Sequence, residues 1–354
     1  MTAVHQVLVS VAYGDAVTNE ALELRKLLRA GGPSEIFALF RDLRVEDVHD
    51  LSEYEQLVKG PAVLLVHYSI GHPEVQRFLY DRGAPIILRY HNITPAHYFE
   101  AFDPEMAERL HEGRTALAEL APRTRLAIAV SDFNAADLRE AGFASIETVP
   151  FLMDPRRLLD VGPGELPAGV PASGGPLVLF TSRISPHKRH DLLIEAFHVL
   201  KTYLHPDARL VLVGSFYSPY YRYTLTRLVQ ELAVPDVVFT DQVPDATLAD
   251  LYRRAAAFVC LSEHEGFGAP LIEAMAFKVP VVAWATSAVP ETVGEAALLL
   301  EDPRPSLVAE AIHDVVADGP LREELIRRGL RRSADLRPDV VGASLVDLVR
   351  GAVA

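Results

Sequence analysis

Cysteine is almost missing from this chain. Cys260 is the only one in 354 residues, which excludes a disulfide framework. It lies inside an apolar run and reads as a small buried hydrophobe. No apolar run approaches the roughly 20 residues that a membrane-spanning helix needs. The opening segment, MTAVHQVLVSVAYGD, lacks the basic flank and cleavage site of a secretion signal. A reducing, cytoplasmic setting is therefore expected. Positive charge is also short: 34 Lys and Arg stand against 48 Asp and Glu, a net charge of -14. That argues against a nucleic-acid partner and weakens electrostatic docking on an anionic membrane, though peripheral membrane contact stays open. There is no H-E-x-x-H, and the pairs His187/His190 and His91/His97 have no third ligand nearby in sequence. No metal site is expected on that ground. The first apolar run is not followed by G-x-G-x-x-G, which excludes a dinucleotide-dependent dehydrogenase.

What the chain does have is apolar content, 49% hydrophobic residues, and enough length for two domains. Strand-like runs are read at Val7 to Asp15, Glu35 to Phe40, Ala62 to Ser69, Pro85 to Pro95, the run from Leu126, and Ser145 to Phe151. After a Pro-, Gly- and Ala-rich stretch, further runs follow at Arg209 to Gly214, Val237 to Thr240, Ala257 to Leu261, Pro280 to Trp284 and Ala296 to Leu300. Amphipathic segments alternate with them. One begins with Asp15 or Thr18 as its cap and stops at Gly31-Gly32; another follows Ser131 or Asp132. Such alternation means α/β architecture with parallel sheets covered by helices. The expected division is an N-terminal domain over 1–160, a linker over 161–176, a C-terminal domain over 177–335 and a final helix over 336–354, starting at Pro338.

The most informative stretch is SEHEGFGAPLIEAMAFKVPVVAW, from Ser262. A buried strand, Ala255 to Leu261, runs into a turn in which Gly266 and Gly268 bracket Phe267. Pro270 then opens a helix, where its missing N–H costs nothing. A helix N-terminus behind a Gly-rich turn aims free N–H groups and a positive dipole end at an anion. Glu265 and Glu273 flank it. Carboxylates repel phosphate but accept hydrogen bonds from hydroxyls. The combination suits a sugar–diphosphate–ribose molecule, with Glu265 on one sugar and Glu273 on the other. Arg183 and Lys188, in SRISPHKRH just after another strand, supply cations for the diphosphate. Arg189 is expected to face solvent.

Glu265 and Glu273, with seven residues between them, resemble the E-x7-E motif of retaining glycosyltransferases of GT-B fold, and EGFGAPLIEAMA is similar to family 4 (glycosyl transferases group 1). The resemblance implies two Rossmann-like, doubly wound parallel-sheet domains facing across a cleft, the last helix crossing back to the first domain. It implies a hexose moved from a nucleotide-diphosphate sugar, such as a UDP- or GDP-hexose, to a hydroxyl acceptor with retention and without metal or other cofactor. The absence of D-x-D agrees with this, since the Mg- or Mn-dependent class carries it. By matching positions, His91 would touch the donor sugar. Ser182, Arg183, Lys188, Glu265, Gly266, Phe267, Gly268, Leu271 and Glu273 would bind the nucleotide sugar, and Ser131 would line the cleft. Gly14 would face phosphate or acceptor, although Tyr13-Gly14-Asp15 departs from the paired glycines usual in the family. A GT-B 2-epimerase and a non-catalytic sugar-nucleotide-binding subunit are the alternatives. Sugar, base, acceptor and oligomeric state are not encoded legibly.

Overall fold

The computed structural model describes residues 2–170 and 173–353. Two compact units result. One runs to Met153 and takes up the chain again from Leu336; the other is Asp154–Asp335.

The first unit contains seven strands: β1 (Ala3–Val11), β2 (Ile36–Arg41), β3 (Val48–Asp50), β4 (Ala62–Tyr68), β5 (Ile86–Tyr90), β6 (Thr124–Ala129) and β7 (Ile146–Thr148). All are parallel, in the order β3-β2-β1-β4-β5-β6-β7. Every residue of β4 and β5 is buried, as expected of strands covered on both faces. β1 starts four residues before the expected Val7. His5 and Gln6 are polar yet buried there because each has a partner: Glu35 N–H donates to His5 Nδ1 at 3.1 Å, and Gln6 Nε2 donates to the Ala21 carbonyl at 3.0 Å. β3 has one apolar residue in three and left no periodicity to read; it pairs through Ile36 opposite Val48. The helix Ala16–Arg29 begins at Asp15, whose carboxylate accepts from Thr18 N–H at 2.8 Å. Ser131 caps Asp132–Glu140 by accepting from Asn134 N–H. The helix Pro338–Val353 belongs to this unit and packs on Ala16–Arg29; a Cβ on its Gly342 would sit 2.5 Å from Leu27 Cδ1. Ala354, the last residue of the expected helix, lies outside the described residues.

The second unit contains β8 (Leu177–Thr181), β9 (Arg209–Val213), β10 (Val237–Phe239), β11 (Ala255–Cys260), β12 (Val281–Trp284) and β13 (Ala297–Leu300), parallel in the order β10-β9-β8-β11-β12-β13. Leu193, Ile194, Phe197, Phe258 and Val282 are fully buried around it. Burial of each such side chain contributes about 1.5–3 kcal/mol. The unit boundary falls ahead of the Pro- and Gly-rich stretch expected to be a linker. That stretch lies within the second unit: Thr247 Oγ1 donates to the Glu165 carbonyl at 2.9 Å, and a Cβ on Gly164 would be 2.4 Å from Thr247 N. Pro171 and Ala172, within the expected linker, lie outside the described residues.

Candidate functional site

In an open parallel sheet, ligands bind beyond the strand C-termini where the connections diverge in opposite directions. In the second unit that place lies between β8, which leads on to β9 and β10, and β11, which leads the other way to β12 and β13. The loop after β8 carries Ser182, Arg183 and Lys188; the loop after β11 carries Glu265 to Gly268. Seven of the sequence-predicted positions therefore converge on one switch point, with Glu273 a turn further along.

The two loops are stitched together. Glu263 N–H donates to the His187 carbonyl at 2.8 Å, and Lys188 Nζ pairs with Glu265 Oε1 at 2.6 Å with both side chains largely buried. Arg183 is exposed and forms no ion pair among the described residues. Ser182 Oγ donates to the Arg183 carbonyl at 3.1 Å and meets His190 Nε2 at 3.3 Å. Burial holds His190 well below the ordinary histidine value of 6.5, at about 3, so it is neutral. Arg189 is not solvent-facing, contrary to expectation. It is half-buried in a left-handed conformation (φ 52°) and pairs with Asp191 at 3.1 Å and Glu263 at 3.4 Å. Gly214, unremarked in the sequence, sets the height of the β8 loop: a Cβ there would lie 1.8 Å from the Ser182 carbonyl.

The turn after β11 is held from outside. Glu265 N–H donates to Ser287 Oγ at 2.9 Å, and Thr292 Oγ1 donates to the Phe267 carbonyl at 2.6 Å. Gly268 (φ 91°) precedes the helix Ala269–Ala276, and a Cβ on it would approach Leu271 Cδ1 to 2.7 Å. Leu271 itself is 1% exposed and belongs to the core under the turn. Glu273 is half-buried. Its Oε2 accepts from Tyr252 O–H at 2.9 Å, and the Tyr252 oxygen lies 2.9 Å from Thr181 Oγ1. Tyr252 donates to the carboxylate, so Thr181 donates to Tyr252. Glu273 Oε1 takes no hydrogen bond among the described residues. Desolvation raises the Glu273 carboxyl above its ordinary value, with Tyr252 and then Arg157 opposing the shift. Tyr252 was not foreseen from sequence; nothing local marks a helical tyrosine whose partners lie on β8 and on another helix. It is fully buried, flanked by Phe258 and Phe277 with ring centroids 6.1 and 5.1 Å away.

The remaining predicted positions, Gly14 and His91, are in the first unit. Gly14 occupies an exposed turn with φ 75° just before the Asp15 cap. Ser131, expected to line a cleft, is 1% exposed and serves as a cap. His91 follows β5 and enters a buried polar cluster absent from the sequence reading. Its Nε2 lies 2.9 Å from His67 Nδ1 and 3.4 Å from Glu20 Oε2. Glu20 pairs with Arg89 at 2.7 Å and also accepts from Leu152 N–H at 2.7 Å; the Glu20 and Arg89 side chains are fully buried. Glu20, His67 and His91 have the composition of a metal site. Their geometry is that of a hydrogen bond. The imidazole planes are 11° apart and their centroids 5.2 Å apart, which is the 2.9 Å N···N distance plus two ring radii. The two lone-pair directions thus run along one line instead of converging on a third point.

The model for glycosyl transferases group 1 matches residues 167–332, nearly all of the second unit. The second unit is a glycosyl transferases group 1 domain. Within this family, the O-antigen chain mannosyltransferase B of Escherichia coli is 31% identical over 156 residues, which is 44% of this chain and 40% of that protein. The D-inositol 3-phosphate glycosyltransferase of Thermobifida fusca is 28% identical over 301 residues, 80% of this chain and 68% of that one. The chain thus spans less than half the length of the first relative. Among solved structures, Anabaena Alr3699/HepE in complex with UDP and glucose matches with a TM-score of 0.79, covering 99% of this chain and all of the other at 15% identity. The two parallel-sheet units are those of the GT-B fold. Among the described residues no helix is long and apolar enough to cross a membrane.

Proposed function

We propose that this protein is a retaining, metal-independent glycosyltransferase that moves a hexose from a nucleotide-diphosphate sugar to a hydroxyl acceptor. The observation that carries this reading is Glu273: one carboxylate oxygen is fixed by Tyr252 and the other is unengaged, on a helix that opens behind the Gly-rich turn. Glu273 Oε1 accepts from ribose hydroxyls. Glu265, whose Oε2 has no partner among the described residues, accepts from hydroxyls of the donor sugar. His91, in the first unit, is read as a contact to a sugar hydroxyl. Lys188, Arg183 and the backbone amides near Gly268 hold the diphosphate and stabilise the charge that builds on it as it leaves. The acceptor oxygen attacks the anomeric carbon on the face from which the nucleotide departs. The carbon–phosphate-oxygen bond breaks, its electron pair stays with the nucleoside diphosphate, and the acceptor proton passes to a phosphate oxygen. The UDP and glucose bound to Alr3699/HepE, and the sugar-transferase names of the relatives, support this class of donor.

The test is a thermal-shift panel of nucleoside diphosphates and nucleotide sugars, then transfer followed by NMR with the stabilising donor in the presence of EDTA. Retention at the anomeric carbon without added metal is expected. Donor turnover without any acceptor would point instead to epimerisation or hydrolysis, and binding without turnover to a non-catalytic subunit.

A further inference from the structure

The polarity of His91 can be worked out from the atoms behind it. Gln6, in β1, has its amide fixed: Nε2 donates to the Ala21 carbonyl at 3.0 Å, so Oε1 must face His67 Nε2, 2.7 Å away. An oxygen there can only accept, so His67 Nε2 carries a proton. His67 is fully buried, and burial together with His91 and Arg89 holds it well below its ordinary value despite the opposing charge of Glu20. A neutral His67 protonated at Nε2 presents a bare Nδ1, and that atom lies 2.9 Å from His91 Nε2. His91 must therefore donate from Nε2, with the Glu20 carboxylate 3.4 Å to the side favouring the same proton. Burial, then the Arg89 charge, keeps His91 neutral too. Among the described residues, the charged or titratable groups facing it from neighbouring elements are Glu20 from its helix, His67 from β4 and Arg89 from β5, with Phe151 edge-on at 5.8 Å. One atom is left over. His91 Nδ1 is buried and has no hydrogen-bond partner among the described residues.

We propose that Gln6 and His67 are positioning residues that fix His91 as a hydrogen-bond acceptor at Nδ1, so that it takes a ligand hydroxyl and rejects a phosphate oxygen. The inference rests on the reading of His91 as a sugar contact and adds what selects its tautomer. A free histidine exchanges its ring proton between the two nitrogens; here the chain from Ala21 through Gln6 and His67 removes that freedom before ligand arrives. The acceptor polarity then distinguishes the two halves of a nucleotide sugar, because hydroxyls can donate and phosphate oxygens cannot.

The direct test is long-range proton–nitrogen NMR on protein labelled with 15N-histidine, with His67 and His91 assigned from His67→Asn and His91→Asn variants. Both rings are expected to be neutral and protonated at Nε2 at neutral pH. A His91 protonated at Nδ1, or an imidazolium, overturns the proposal, and this measurement on the unaltered chain does not depend on any variant folding. The kinetic arm compares His67→Leu, which removes the acceptor, with His67→Asn, which keeps an oxygen where Nδ1 lies. A fall in kcat/KM of about 10-fold or more is expected for leucine, largely recovered with asparagine. Equal losses in both variants would mean that His67 only fills space. Absence of transfer with every donor tried would sink the proposed function alone, since the NMR result still decides the tautomer.

Discussion

Glu273→Gln should make the protein bind nucleotide more weakly and, at the same time, more stable. The change keeps the shape of the side chain and an oxygen for Tyr252 O–H, now 2.9 Å from Glu273 Oε2. What is lost is the charge on the unengaged oxygen. A hydrogen bond to a charged group contributes about 1.5–3 kcal/mol against about 0.5–1.5 for a neutral one, so each ribose hydroxyl loses about 1–1.5 kcal/mol, or about 5- to 13-fold in affinity. In the free protein the sign reverses. Desolvation raises the folded carboxyl above its unfolded value. The folded state then binds more protons through that window, and stability falls as pH rises from the ordinary carboxylate value through the raised one. Glutamine has no such penalty, so at neutral pH its melting temperature should exceed that of the unaltered protein, and the gap should close as pH falls. Calorimetric titration with a nucleoside diphosphate and thermal scans across pH measure both effects. Unchanged nucleotide affinity removes ribose from the role assigned to Glu273; a lower melting temperature at neutral pH refutes the desolvation argument. A side chain that merely holds a helix in place would lose stability and affinity together.

Other parts of the molecule give sharper, simpler outcomes. Lys188→Met should lower kcat by about 10²- to 10³-fold, as expected when a preorganised group facing developing charge is removed, with donor turnover as the assay. Gly214→Ala should reduce transfer and destabilise the fold, because the Ser182 carbonyl stands 1.8 Å from the new Cβ; an active, equally stable variant would show that the loop carrying Arg183 has room. Glu20→Leu strands the buried Arg89 guanidinium and should cost about 3–5 kcal/mol in a denaturant titration. Stability should also fall as pH drops below 6.5 toward 3: His67, His91, His187 and His190 all have folded values lowered by burial, so the unfolded chain takes up their protons first. A melting temperature flat from neutral pH into that range would count against four neutral buried imidazoles.

How much could be read in advance differs from element to element. The strand, turn and helix around Glu265 to Glu273 were legible because each feature is local. β11 is a continuous apolar run, Gly268 is the residue able to sit at φ 91° against Leu271, and Pro270 lies in the first helical turn. Strand ends were less legible. Polar His5 and Gln6 hid the true start of β1, and Asp15 cut its end short by capping the next helix. The Pro- and Gly-rich stretch was informative about irregular backbone but silent about what it packs on, and it joins the second unit.

The amino-acid order alone determined the alternation of elements, the two parallel-sheet units, and the pairing of an anion-ready turn with glutamates seven residues apart. Those properties arise from periods and caps spanning a few residues. Tertiary structure decided which side chains govern those glutamates and His91. Tyr252 reaches Glu273 across 21 residues and Thr181 across 71; His67 reaches Gln6 across 61; Arg89 reaches Glu20 across 69. A parallel sheet favours this, because most adjacent strands in it are joined by long crossovers, so side chains that meet from different strands come from distant parts of the chain. Their proton positions follow from burial and from the order of donors and acceptors along those contacts, and neither exists until the strands are side by side.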